Sequence, residues 1–163
     1  MNPLAEHPDF IFESLPNENL SEEFLKRYPK IPEDYLTFLK SFSLLTNLSD
    51  TTWFNSIADF NGTHSESEFR WNEFEQQSLE AFEGDEASQQ QVSDFWASHL
   101  PIILSVKNGY AYFSIGTAEG HFGKIYFGEE PEYEEAECIA NSFSEFIKAL
   151  QEQTLKERLL DLF

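Results

Sequence analysis

The sequence predicts an α+β fold, a mixed, mainly antiparallel sheet with flanking helices. Three observations carry this. Apolar residues recur at helical spacing over residues 35–45 and again over 143–150. Between these stretches lie short β-rich runs joined by Gly-marked turns. Such connections are too short for crossovers, so they favour antiparallel pairing. The chain has 163 residues, 40% hydrophobic and 16% aromatic, enough for one domain with an aromatic-rich core.

Taken in order, residues 1–15 carry Pro3 and Pro8 with no sustained period, and read as a flexible N-terminal arm. Residues 16–163 read as a single domain. Leu20, Phe24, Leu25 and Tyr28 fall on one face of a short helix over 17–28, stopped by Pro29. Pro32 suits the first turn of a second helix, with Glu33 and Asp34 where the helix dipole favours negative charge. Tyr35, Phe38, Leu39, Phe42 and Leu45 form its apolar stripe.

A strand is expected over 52–60, and Asn61-Gly62 predicts a two-residue hairpin turn with a return strand reaching Trp71. Residues 72–99 form a polar helical insert, expected as helices over 72–82 and 88–98, the second anchored by Phe95 and Trp96. Pro101 to Val106, Tyr110 to Ile115 and Lys124 to Phe127 read as a three-stranded meander, with Asn108-Gly109 as its first turn. Ser142 and Glu145 make a capping box for a closing helix whose apolar face is Phe143, Phe146, Ile147 and Leu150. The leucines from Leu155 onward extend that helix or pack back.

Charge is the unusual total. Thirty Asp and Glu stand against ten Lys and Arg, a formal net of −20. A surface of that sign repels nucleic-acid phosphates and anionic lipid, whose recognition needs clustered Lys and Arg. No direct nucleic-acid binding and no membrane contact are expected. The favoured partner is a basic protein surface, against the plainer reading that the acidity serves solubility. A lone cysteine, Cys138, fits a reducing, cytoplasmic setting. The N-terminus has no basic region followed by an apolar run, and no stretch approaches the roughly 20 apolar residues of a membrane span.

Candidate chemistry is sparse. His7, His64, His99 and His121 have no metal-ligand spacing with a second His or Cys. His64 sits in a Ser- and Glu-rich loop, where it could bind a metal, act as a base or simply be a solvated turn residue, and His121 reads as a turn residue between Gly120 and Gly123. Cys138 has acidic neighbours that disfavour a thiolate, and reads as a buried structural thiol. Carboxylate pairs suited to glycoside chemistry arise by chance among thirty acids. Gly116, Gly120 and Gly123 precede a strand, so they do not form a phosphate loop at a helix N-terminus. No catalytic residue, metal ligand or cofactor site is expected. An enzyme working through a Glu or Asp pair stays open as a reading of a different class.

The remaining feature is an acidic run, Glu129, Glu130, Glu132, Glu134, Glu135 and Glu137, with Tyr133 among the acids. It reads either as a solvated loop or as an electrostatic docking site for a basic partner, with Tyr133 as a buried anchor at its centre.

Three segments together resemble the SUKH superfamily, which includes bacterial immunity proteins of toxin systems and a fungal regulator of cell-wall synthesis. Ile31-Pro32-Glu33-Asp34-Tyr35-Leu36-Thr37-Phe38-Leu39 is similar to its opening helix. Leu100-Pro101-Ile102-Ile103, leading through Asn108-Gly109 to Tyr110-Ala111-Tyr112-Phe113, is similar to its central hairpin. Asn141-Ser142-Phe143-Ser144-Glu145-Phe146-Ile147 is similar to its closing helix. The family usually has Asn-Gly soon after the opening helix, where this chain has Thr46-Asn47-Leu48-Ser49, and the insert at 72–99 is long. The resemblance implies a non-enzymatic protein without a cofactor that binds a toxin, often a nuclease, by covering its basic active site. It equally implies, as the alternative, a regulatory scaffold that binds a cellular protein without any toxin.

Overall fold

The computed structural model describes residues 2–14, 18–62 and 69–163. Among these, seven strands form one sheet: β1 (Phe10–Ser14), β2 (Phe42–Asn47), β3 (Thr52–Phe54), β4 (His99–Ser105), β5 (Ala111–Gly116), β6 (Ile125–Glu129) and β7 (Glu137–Ala140). They lie side by side in chain order and every pairing is antiparallel. The expected α+β architecture is therefore present as an uninterrupted meander. Helices flank the sheet, five inserted between strands, α1 (Glu22–Arg27), α2 (Glu33–Leu39), α3 (Ile57–Asn61), α4 (Glu73–Ala81) and α5 (Glu86–Ser98), and two after β7, α6 (Phe143–Glu152) and α7 (Glu157–Leu160).

Residues opposite one another in an antiparallel ladder share a face, so the register sorts the side chains into two layers. One face presents Phe10, Leu45, Phe54, Phe113 and Phe127 to α2 and α6. The contact is aromatic: Phe38 of α2 meets Phe143 of α6 edge to face at 4.9 Å. The C-terminal leucines pack back into this layer. Leu159 and Leu162 are buried, and the Leu162 carbonyl accepts from Thr52 Oγ1 at 2.6 Å. The Asn47 amide donates to the same carbonyl at 3.3 Å.

The opposite face presents Leu104 and Tyr112 to Phe74 of α4 and to Val92 and Trp96 of α5. Tyr112 lies across Gly128, its ladder partner, where no Cβ fits, and its hydroxyl donates to the Tyr133 carbonyl. This second cover stops short. Beyond Trp53 of β3, Ile11 of β1 and Leu44 of β2 stay exposed.

Several elements differ from the sequence reading. Where a loose arm is predicted, Phe10–Ser14 form an edge strand paired to β2 and Leu4 is fully buried. Two prolines and a run of only five residues mask the alternation. Only Glu22–Arg27 of the expected first helix is helical, because Ser21 caps its N-terminus by accepting from the Phe24 N–H. Phe42 and Leu45 are buried as predicted but on a strand: α2 ends at Leu39, and the Ser41 hydroxyl bonds back to the Phe38 carbonyl. A short apolar run satisfies both periods, and the neighbouring strands decide between them.

The expected 52–60 strand ends at Phe54. Ser56 and Asp59 then form a capping box for α3, so Gly62, at φ 70°, is the helix's C-cap and not a hairpin turn. Residues 63–68 of the expected return strand lie outside the described residues, and no strand is assigned over 69–72. The predicted insert matches α4 and α5 closely. Pro101, inside β4, sits at a register shift, where its missing N–H costs the ladder least. The Asn108-Gly109 turn is present, with Gly109 at φ 84°. In the closing helix Ser142 accepts from the Glu145 N–H, while Glu145 reaches back to the Asn141 N–H, one residue beyond the expected box.

Candidate protein-interaction surface

The acidic run connects β6 to β7 and enters β7 itself, since Glu137 is that strand's first residue. Its members divide by what they touch. Glu137 accepts from Lys156 Nζ at 2.8 Å and from Arg158 Nη2 at 2.9 Å, which holds its carboxyl below the usual carboxylate range through the Lys156 hydrogen bond first. Arg158 also lies 4.0 Å from Glu129 and 5.2 Å from the centre of the Phe127 ring. Glu130 is exposed, lies over the β4–β5 turn beside Gly109 and accepts from the Tyr110 N–H.

Glu134 is structural. Its Oε2 accepts from Ser78 Oγ at 2.8 Å and from the Trp96 indole N–H at 2.9 Å, tying the connection to α4 and α5. Tyr133 is buried, stacked on Phe74 at 4.6 Å, with its hydroxyl donating to Gln77 Oε1 at 2.9 Å. Burial raises its phenol above the ordinary tyrosine value. Its ring therefore serves the second core layer. Glu132 and Glu135 are exposed.

This division is testable. Glu134→Ala strands two donors and should cost roughly 2 kcal/mol in urea unfolding, with a changed Trp96 near-UV signal. Glu132→Gln and Glu135→Gln should change stability by less than about 0.5 kcal/mol.

Cys138, predicted to be buried, is exposed on β7. The strand register is the reason: Cys138 pairs with Tyr126 on the face away from the main core, near the sheet's edge. Sequence alone gives Glu137 to Ala140 no clear period.

The histidines show a cluster that their spacing conceals. The rings of Phe95 and His99 stack at 4.0 Å, and His121 stacks on His99 at 4.7 Å. Tyr126 stands edge-on to both imidazoles. His99 Nδ1 lies 2.8 Å from the Phe95 carbonyl, to which its N–H donates. Burial pushes the His99 imidazole down to about 4, and burial followed by the Lys124 charge lowers that of His121. Among the described residues no group of three or more His, Cys, Asp and Glu could hold a metal ion. His64 lies outside the described residues.

His99 is neutral in the fold and takes up a proton more readily when unfolded. Its contribution to stability is complete above about 6.5, the ordinary histidine value, and is lost as pH falls toward 4. Unfolding measured from pH 7 to pH 4 should show this loss, and His99→Phe should flatten it relative to the parent chain.

No helix among the described residues is long and apolar enough to cross a membrane. No curated protein and no solved structure matched the chain. A family model matched residues 17–149, from just before α1 almost to the end of α6, and so includes the opening helix, the central hairpin and the closing helix. The chain belongs to the SMI1/KNR4 family (SUKH-1), a family of immunity and regulatory proteins.

Proposed function

We propose that this chain is an immunity protein, working in the cytoplasm, that neutralises a cognate toxin by covering a basic active site, of the kind a nuclease needs to hold phosphate. The observation that carries the reading is the formal charge of −20 on a member of this family. Acidic and basic surfaces attract at long range, which speeds encounter and disfavours uncharged partners. The acidic run supplies part of that field. Its exposed members Glu129, Glu130, Glu132, Glu135 and Glu137 lie at the β6–β7 end, while Tyr133 and Glu134 hold the run in shape from inside. Binding, not catalysis, is the activity. Family membership equally supports the second reading, a regulatory scaffold that engages a cellular protein without a toxin.

The test is capture of the partner from a lysate of the source at low salt, followed by a salt step. A basic nuclease domain released by salt, and inhibited when this chain is added back, is the expected result. A partner indifferent to salt, or none with a basic surface, would assign the acidity to solubility and put the regulatory reading first.

A further inference from the structure

The acidic run offers charge without an apolar centre, because its one aromatic residue, Tyr133, is buried in the second core layer. Stable interfaces need apolar or aromatic side chains at their middle. An uncovered stretch of the sheet supplies them at its other edge. On the face where α4 and α5 cover β4 to β6, nothing among the described residues buries Ile11 and Leu44, which are 41% and 37% exposed. The register puts both on the same face as Trp53, whose ring is partly exposed and packs edge-on against Phe69 at 5.7 Å.

A groove runs along this face between β1, β2, β3 and α3. Glu13 and Asp50 line it beside the capping residue Asp59, and among the described residues no Lys or Arg does. Asp50 is held there by the Thr46 hydroxyl at 3.2 Å, and Asp59 by its capping bond from the Ser56 N–H at 2.8 Å. The Leu25–Phe122 groove has one charge of each sign, Lys30 and Glu33, and so no such preference.

We infer that the open face of β1–β3 is the docking surface for a basic, amphipathic segment of the partner protein. Apolar side chains of the segment cover Ile11 and Leu44, and an arginine or lysine lies over the Trp53 ring among the carboxylates. A cation over tryptophan is stabilised by the ring's negative face, and flanking carboxylates add to it. The inference rests on the reading of a basic partner and adds where that partner is gripped.

The experiment uses the full ¹⁵N-labelled chain and, as probe, an acetylated and amidated octapeptide of alternating Arg and Leu at low salt. Expected are shift changes centred on the Ile11 and Leu44 amides and the Trp53 indole N–H. Binding should weaken about tenfold in Leu44→Lys and roughly threefold in Asp50→Asn, a near-isosteric change that leaves the fold intact. Shifts centred on Glu132 and Glu135, with Leu44→Lys binding like the parent chain, would overturn this inference and leave the basic-partner reading standing. A chain that binds the peptide nowhere counts against both.

Discussion

Gly116→Ala should cost roughly 3 kcal/mol or more, at the upper end of overpacking effects. A Cβ on Gly116 would come within 3.0 Å of the His121 carbonyl oxygen and of its Nδ1. The carbonyl belongs to the backbone of the β5–β6 turn. That turn is tied down where the Gly116 N–H donates to the Lys124 carbonyl and the Gly123 N–H to the Gly116 carbonyl, both at 2.8 Å. Neither side can retreat without opening those bonds. His121→Ala in the same chain should therefore restore little, because it removes the ring and leaves the carbonyl. Gly84→Ala is the control. Gly84 has φ 88° but nothing near its would-be Cβ, so only backbone strain of about 1 kcal/mol applies. Urea unfolding of the three variants orders them, and a Gly116→Ala chain as stable as the control would contradict the close approach.

Arg27→Met should cost about 3 kcal/mol. Arg27, in the last turn of α1, makes a bidentate pair with Glu75 in the first turn of α4, at 2.8 and 2.6 Å. The partners are unequal: Glu75 is buried, while the Arg27 side chain is a third exposed. Removing the arginine leaves an uncompensated buried carboxylate, the costly half of breaking such a pair. Arg27→Met combined with Glu75→Leu should recover most of the loss, since an apolar pair of similar volume needs no charge compensation. Urea unfolding of the two variants measures both effects. A double variant no better than the single would mean that the pair acts through packing alone.

The pair also joins helices far apart in the chain. Arg27–Glu75 fixes α4 to α1, and the Tyr28 hydroxyl donates to the Trp96 carbonyl at the end of α5 at 2.7 Å. No sequence pattern joins residues 27 and 75. The charges were visible, but any of thirty acids could have been the partner.

What the sequence determined by itself was the kind of fold and the sign of its surface. Helical spacing around Tyr35 and Phe38 and around Phe143 and Phe146, together with turn chemistry at Gly109, are local properties. Local backbone preferences are enough to specify α2, α6, β4 and β5. Those same elements carried the family resemblance, and the net charge follows from counting.

Tertiary structure alone decided what depends on neighbours distant in the chain. Phe10 to Ser14 become a strand because β2 offers a ladder, and Phe42 leaves a helical stripe for the same reason. Tyr133 is taken from the acidic run by Phe74, and Glu134 by Trp96 and Ser78, so six glutamates and one tyrosine that are continuous in sequence pattern separate into core, clamp and surface. The open face of β1–β3 appears only once the sheet is assembled and α4 and α5 are seen to cover part of it. Burial and partnership are properties of pairs of elements, and a single sequence states only one member of each pair.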